Sequence, residues 1–198
     1  MSESLITKKA IAQSVKELMK KEDLRKISVA DIVHHCGINR QTFYYHFKDK
    51  YDLVNWIYYN EVVSVVSSQK SFHDWSDVLL EILNIMKREK YFYRNALNVT
   101  GQNAFQDYFF NLTKCLLIEI INAMEKGKEL REEDKNFIAE FYTYGLVGIV
   151  VQWVRKGMKE QPKELVDKLK YFIDDSKQFT AARYLRTITE NNESPQRR

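Results

Sequence analysis

The chain has 198 residues, 44% hydrophobic and 29% charged, so it is large enough to bury a core and too apolar for a disordered protein. Its six glycines and two prolines disfavour a turn-rich β-fold and favour helices joined by short loops. The net charge of +4 lies in residues 1–50, which hold ten basic and six acidic residues, whereas the remainder holds 21 of each. Such a basic end indicates an anionic partner, although chance clustering on a solvated surface would give the same count.

The N-terminal segment MSESLITKKAIAQS is too polar for the core of a signal peptide. The longest apolar run, GLVGIVVQWV at 145–154, is far shorter than the roughly 20 residues of a membrane span. The two cysteines, Cys36 and Cys115, are far apart and belong to no paired motif, which is typical of a protein in a reducing compartment. We therefore expect a cytoplasmic protein without a membrane segment.

Helical periodicity runs through the chain, and its first part predicts three short helices. The first begins near Thr7 and ends in the charged segment KKEDLRK. Ser28, followed three residues later by an acid, predicts a capping box at the start of the second helix, and Gly37 predicts its end. Asn39 is the expected N-cap of a third helix over about 40–48.

The remainder of the chain predicts further helices joined by short loops. They cover 50–68, the segment DWSDVLLEILNIMKREK, about 104–126, about 132–156, 162–174 and roughly 177–188. Asp49 is the expected cap of the first of these, and Pro162 opens the helix at 162–174, because a first-turn proline loses no helical hydrogen bond. A loop is expected at 69–74, and a bend before Gly101.

The stretch INRQTFYYHFKDK places aromatic and basic residues together on the third helix. At 100° per residue, Phe43 and Phe47 lie within about 40° of each other and predict the buried face, whereas Gln41 and Tyr45 point the opposite way. Two short helices separated by a short turn form a helix-turn-helix, whose second helix enters the major groove of DNA. Arg40, at the start of that helix, can reach a guanine edge or a phosphate.

The segment ISVADIVHHCGINRQTFYYHFKDKYDLV (27–54) closely resembles the DNA-binding signature of TetR (tetracycline-repressor) family transcriptional regulators. The resemblance implies an all-α fold, with an N-terminal three-helix helix-turn-helix domain and a C-terminal helical domain for dimerisation and effector binding. We place the first domain at 1–50, the second at 51–190 and a disordered tail at 191–198. By position, the resemblance implies DNA contacts from Ser28, Val29, Asn39, Arg40, Gln41, Thr42, Tyr44, Tyr45, His46 and Lys50, with Lys50 clamping the DNA backbone.

The segment YDLVNWIYYNEV and the helical layout after it are similar to a Gram-positive subgroup of this family. The subgroup includes the regulator of dihydroxyacetone kinase operons, an activator that works through a protein co-regulator. The resemblance implies a bacterial regulator that binds palindromic double-stranded DNA as a homodimer and responds to a small-molecule effector or a protein co-regulator. The alternative is an interaction module that retains the fold and acts mainly through a partner protein.

No phosphate-binding loop, nucleophile elbow or zinc motif occurs in the sequence, so no enzymatic activity and no cofactor are predicted. The run His34-His35-Cys36 does not predict a metal site, because adjacent helical positions diverge by about 100°. Most aromatic residues of the second domain are expected to be ordinary core. The candidate effector-pocket residues among them are Trp56, Tyr59, Tyr93, Tyr108 and Phe109.

Two glycines interrupt an otherwise apolar helix in the segment YGLVGIVVQWV. Because each glycine weakens a helix by about 1 kcal/mol relative to alanine, the pair indicates close approach of another helix. That approach can occur inside the protomer or across a dimer interface, and we expect the second. The candidate interface residues are Gly145, Gly148, Val151 and Trp153.

Overall fold

The computed structural model describes residues 3–68, 75–99, 105–124 and 131–175, and within these ranges it contains helices and no strand. This confirms the all-α prediction. The helices are α1 (Glu3–Met19), α2 (Val29–Cys36), α3 (Arg40–His46), α4 (Lys50–Ser68), α5 (Trp75–Arg88), α6 (Lys90–Ala96), α7 (Phe105–Met124), α8 (Glu132–Arg155) and α9 (162–175). The predicted loop at 69–74, the bend before Gly101, the helix at 177–188 and the tail at 191–198 lie outside the described residues.

The predicted capping signals of α2 and α3 are present. The Ser28 hydroxyl accepts a hydrogen bond from the Asp31 backbone N–H, and the Asp31 carboxylate accepts one from the Ser28 N–H, which completes a capping box. Gly37 ends α2 with a φ of 73°, a left-handed conformation that glycine adopts without steric cost. The Asn39 side-chain oxygen accepts from the Thr42 N–H at 2.8 Å and so caps α3.

Two helix boundaries differ from the sequence predictions. α1 begins at Glu3 rather than near Thr7, and the Thr7 hydroxyl donates to the Glu3 carbonyl one turn earlier. α3 ends at His46 rather than near residue 48, because Phe47 adopts an extended backbone (φ −139°, ψ 138°) and buries its ring. The backbone N–H that follows Phe47 donates to Asp52, so it already belongs to the start of α4.

The buried side chains of the N-terminal helices and of the later helices form one continuous cluster. Ile11, Val15 and Met19 provide the buried face of α1, and each is at most 2% exposed. Full burial of a side chain of this size contributes about 1.5–3 kcal/mol, so α1 is held chiefly by apolar packing. Packing of this kind is non-directional and does not by itself fix how α1 is oriented.

Asn95 on α6 makes a specific polar contact with the end of α1. Its amide nitrogen donates to the carbonyls of Met19 and Glu22 at 2.9 and 3.0 Å, and its side-chain oxygen accepts from the Leu24 N–H at 3.0 Å. The carbonyls at a helix C-terminus lack partners within the helix, so Asn95 supplies what the end of α1 needs. α6 is thereby joined to the helix that supports α2 and α3.

We expect Asn95→Ala to lower the free energy of unfolding by about 1–3 kcal/mol, because it leaves partly buried backbone groups without partners. Asn98→Ala, three residues further along, is the matched control, because Asn98 is exposed and surface substitutions usually change stability by less than about 0.5 kcal/mol. Urea denaturation of both variants measures the difference. Equal stabilities would show that the Asn95 contact contributes nothing to folding.

Candidate DNA-binding surface and effector cavity

α3 separates its aromatic residues between the core and the surface. Phe43 and Phe47 are 0% and 2% exposed, whereas Tyr44 and Tyr45 are 57% and 82% exposed. This confirms the predicted buried face. Because the two phenylalanines anchor α3, it presents a fixed set of polar side chains to solvent. Its exposed predicted contact residues, with the N-cap, are Asn39, Arg40, Gln41, Tyr44 and Tyr45, while Thr42 and His46 are half-buried.

Two of the predicted DNA-contact residues also have structural roles. The Ser28 hydroxyl donates to Asp31 at 2.6 Å, and the Asn39 oxygen accepts from both the backbone and the hydroxyl of Thr42. Both side chains remain on the surface, whereas Val29 is partly buried against the core. A change at Ser28 or Asn39 would therefore disturb the start of a helix as well as any contact with DNA.

Lys50 has partners that the sequence prediction did not anticipate. Its ammonium donates to the backbone carbonyls of Leu24, Arg25 and Ile27 at 2.7, 3.1 and 2.6 Å. An ammonium has three donors, and all three are used inside the protein. Desolvation lowers the pKa of Lys50, while nearby carboxylates oppose the shift. These bonds fix the connection between α1 and α2 to the start of α4, and the DNA clamp by Lys50 stays a prediction.

Lys48 is a cation beside α3 that the sequence reasoning missed. It follows the recognition helix after Phe47, and its side chain is exposed. Its backbone N–H is held by the Asp52 carboxylate at 3.0 Å, so the chain direction at this point is fixed. In the sequence, Lys48 and Lys50 are indistinguishable as phosphate contacts. Only the position of the Leu24, Arg25 and Ile27 carbonyls separates them.

An apolar cavity of about 100 Å³ lies between α4, α5, α7 and α8. Its lining includes Tyr58 from α4, Leu79 and Met86 from α5, Phe109 from α7 and Val150 from α8. Apart from Tyr58 and Trp75, Thr113 is the one lining residue with a polar group on its side chain, and it donates its hydroxyl to the Phe109 carbonyl at 2.8 Å. A cavity of this kind offers apolar contact and little hydrogen bonding.

Of the five candidate effector-pocket residues, Phe109 alone is among the lining residues. Trp56 packs its ring edge-to-face on Phe47, below the recognition helix, and Tyr59 is 46% exposed. Tyr93 is buried and packs its ring edge-to-face on Tyr58. These placements correct the assignments of Trp56, Tyr59 and Tyr93, because α4 turns them away from the cavity or α6 holds them outside it.

Tyr108, the remaining candidate, packs its ring edge-to-face on Tyr58 and is also absent from the cavity lining. Tyr58, which the sequence reasoning missed, lines the cavity and is 2% exposed. Burial raises the pKa of Tyr58 far above its ordinary value, so the hydroxyl is neutral. The spacing of apolar residues along α5 was the one sequence signal that could have indicated a cavity wall.

The candidate dimer residues divide between the core and the surface. Val151 and Trp153 are only 4% and 5% exposed within one protomer, and the Trp153 indole donates to the Glu160 carbonyl. Both assignments are therefore corrected to core positions. Gly145 and Gly148 lie on the opposite, exposed face of α8, where an added Cβ would meet nothing within 4 Å.

Large apolar side chains are exposed on α8, as the two glycines are, and on α9. The exposed residues of this kind on α8 and α9 are Phe137, Phe141, Tyr144, Ile149, Tyr171 and Phe172, which we call the aromatic stripe. Five of them are aromatic and between 65% and 73% exposed, and Ile149 is 41% exposed. A patch of this kind on a soluble protein marks an interaction surface.

In the part of the chain that the structure describes, α8 alone is long and apolar enough to cross a membrane. Its length and composition alone meet this condition, and 39% of its most apolar 18-residue stretch is buried inside the protein. Core helices of soluble proteins have the same properties. The exposed face of α8 is occupied by the aromatic stripe and two glycines, which is also a composition suited to helix–helix contact.

Comparisons with known proteins match both halves of the chain. A family profile described as "Bacterial regulatory proteins, tetR family" matches residues 13–57. A second, described as "Transcriptional regulator C-terminal region", matches residues 73–175, which is more than half of the chain. The chain belongs to the TetR family. TetR-family proteins are transcription factors rather than enzymes, so the chain is a transcriptional regulator and the prediction of no enzymatic activity is confirmed.

Individual TetR-family relatives give the same result. The HTH-type dhaKLM operon transcriptional activator DhaS of Lactococcus lactis subsp. lactis (strain IL1403) is 30% identical over 159 residues, covering 79% of this chain and 84% of DhaS. A solved structure of the dihydroxyacetone kinase operon activator DhaS has a TM-score of 0.69 and 24% identity, covering 87% of this chain and 96% of that one. The resemblance to this subgroup is confirmed.

A TetR transcriptional regulator from Streptococcus agalactiae 2603V has a TM-score of 0.60 and 20% identity, covering 86% of this chain and 93% of that one. At this identity the likeness concerns the fold. It confirms an N-terminal helix-turn-helix followed by a C-terminal helical domain.

The different environments of Lys48 and Lys50 lead to opposite expectations. Lys50→Met keeps the aliphatic stem and removes three hydrogen bonds, so it should lower the free energy of unfolding by about 1–3 kcal/mol and leave the salt dependence of DNA binding unchanged. Lys48→Met should leave stability unchanged and lower the slope of log K against log salt by about one unit per half-site. Urea denaturation and salt-dependent binding test both. A reduced slope in Lys50→Met would restore its predicted role as a phosphate contact.

Proposed function

We propose that the protein is a cytoplasmic, sequence-specific DNA-binding regulator that binds a palindromic operator as a homodimer. The observation that carries the proposal is the exposed polar face of α3, which the buried rings of Phe43 and Phe47 hold in place. Membership of a family of transcriptional regulators supports it. The excess positive charge of residues 1–50 supports it further, because phosphate contacts supply much of the affinity for DNA.

Recognition of the DNA base sequence is assigned to residues of α3. Arg40 carries a guanidinium at the start of the helix, suited to a bidentate bond with guanine O6 and N7. Gln41 and Thr42 offer further polar groups for base edges. Tyr44, Tyr45 and His46 are suited to phosphate oxygens, as is Lys48, which replaces Lys50 in this assignment.

The dimer is assigned to the aromatic stripe on α8 and α9. The stripe would leave large rings in water in an isolated protomer, and Gly145 and Gly148 leave room for a second helix to approach closely. A two-fold dimer places two α3 helices for two half-sites of a palindrome. Both helices enter successive major grooves only when they are about one helical turn, ~34–36 Å, apart.

The signal is a small effector or a protein co-regulator. The apolar cavity supports an effector that is small and apolar, because its walls supply little hydrogen bonding. Similarity to DhaS, which is named as an operon activator, supports control of an operon and leaves a co-regulator as the second form of signal. In either form the protein would act through DNA, which distinguishes it from an interaction module that has only kept the fold.

Selection of bound fragments from random double-stranded DNA tests the function directly. We expect a palindrome with half-sites about one helical turn apart, bound less tightly as salt rises. Failure to enrich any sequence, with salt-independent or absent binding, would contradict the proposed function. It would favour the interaction module.

Arg40→Ala is expected to cost roughly 1–3 kcal/mol per half-site and to blur the preference at one base pair. The reason is that a bidentate contact with guanine is lost, whereas a lost phosphate contact weakens all sequences equally. Binding to the selected operator and to its single-base variants measures the effect, with Tyr45→Phe as the comparison. An unchanged preference profile would make Arg40 a phosphate contact and transfer base reading to Gln41 and Thr42.

Gly148→Glu is expected to give monomers in sedimentation and to abolish tight operator binding, because it places a charge in the centre of the apolar interface. Glutamate favours the helix over glycine by up to about 1 kcal/mol, and the added Cβ meets no atom of the same protomer, so the fold should survive. Asn84→Glu, at an exposed position on α5, is the control for added charge and should remain dimeric. A dimeric Gly148→Glu variant would contradict the interface.

A further inference from the structure

A buried lysine joins α1 to the helices of the regulatory region. The Lys16 side chain is 10% exposed and forms an ion pair with Glu61 of α4, while a Glu89 oxygen lies 3.6 Å from its ammonium. The ammonium also lies 5.3 Å from the centre of the Phe92 ring. A buried ammonium that loses its carboxylate is left uncompensated at high cost, so Lys16 and Glu61 are constrained to move together.

Glu61 has a second buried partner. The Tyr93 hydroxyl of α6 donates to the other Glu61 oxygen at 2.7 Å, and Tyr93 is 0% exposed. One carboxylate therefore connects α1, α4 and α6 through two charge-assisted hydrogen bonds. Both bonds depend on the position of Glu61, because hydrogen bonds weaken steeply with distance and angle.

The ring of Tyr58 extends this connection to the cavity. It meets Tyr93 edge-to-face at 6.2 Å on one side and Phe109 at 5.5 Å on another, and it is one of the cavity-lining residues. Tyr58 and Glu61 are three residues apart on α4, so they lie on neighbouring parts of one helix face. A contiguous series of side chains thus runs from the cavity wall to α1.

We propose that occupancy of the cavity is transmitted to the DNA-binding helices through the series Tyr58, Tyr93, Glu61 and Lys16. This proposal rests on the proposed function, since it requires operator binding as the response. An occupant displaces the Tyr58 ring, the Tyr93 hydroxyl then shifts relative to Glu61, and the ion pair conveys the shift to α1. Tyr93 is a positioning residue in this scheme, since it touches neither the cavity occupant nor DNA.

A double-mutant cycle on operator affinity tests the proposal. Leu79→Phe enlarges a cavity-lining side chain and imitates an occupant. It should change operator affinity by at least about fivefold, the lower end of typical allosteric couplings, in the otherwise wild-type dimer. In the Tyr93→Phe background, which keeps the ring and removes the hydroxyl, the effect of Leu79→Phe should disappear.

Tyr91→Phe is the matched control. Tyr91 lies on the same helix, is 49% exposed and belongs to no part of the series, so the effect of Leu79→Phe should persist in that background. Glu61→Gln is the second test variant, and it should suppress the effect as Tyr93→Phe does, because a neutral amide forms no ion pair with Lys16. Thermal unfolding of each variant separates loss of coupling from loss of fold.

Two results would overturn the proposal. One is a Leu79→Phe effect of equal size in the Tyr93→Phe, Glu61→Gln and Tyr91→Phe backgrounds. The other is a Leu79→Phe variant that binds the operator as the wild type does, which would show that the cavity is not coupled to DNA binding. Absence of operator binding by the wild-type dimer would instead contradict the proposed function, so the two failures are distinguishable.

Discussion

The orientation of α1 is the constraint on which the proposed DNA-binding surface depends. α2 and α3 are short, and α3 is held by rings that pack beneath it, so neither helix has a fixed direction without the longer helix behind them. α1 is fixed by apolar packing along its length and by polar contacts from α4 and α6. A shift of those two helices would therefore move the surface that we propose to bind DNA.

The local structure of the helix-turn-helix could be predicted from the sequence because its determinants are local. The capping box at Ser28 and the left-handed Gly37 depend on residues within a few positions of each other. The burial of Phe43 and Phe47 follows from helical periodicity alone. Such features need no knowledge of which helices are neighbours.

The contacts that could not be predicted from the sequence join segments that are distant along the chain. The Lys50 ammonium donates hydrogen bonds to carbonyls more than twenty residues earlier in the chain, and no spacing rule distinguishes Lys50 from Lys48. Val151 and Trp153 belong to the same apolar run as the two glycines, but the helix turns them into the core. Composition predicted α8 as an interface helix and did not predict which of its faces is exposed. The cavity could not be predicted from the sequence, because it forms only where four helices pack together.

The distribution of polar and apolar contacts suits a fold that is proposed both to hold DNA-binding helices and to respond to a signal. Apolar side chains surround the cavity, and their contacts are non-directional, so they do not by themselves fix one arrangement of the wall. Lys16, Glu61 and Asn95 lie where α1 meets α4 and α6, and their hydrogen bonds permit few geometries. Under the proposed coupling, a rearrangement of the cavity wall would not be absorbed at these polar contacts and would change the position of α1.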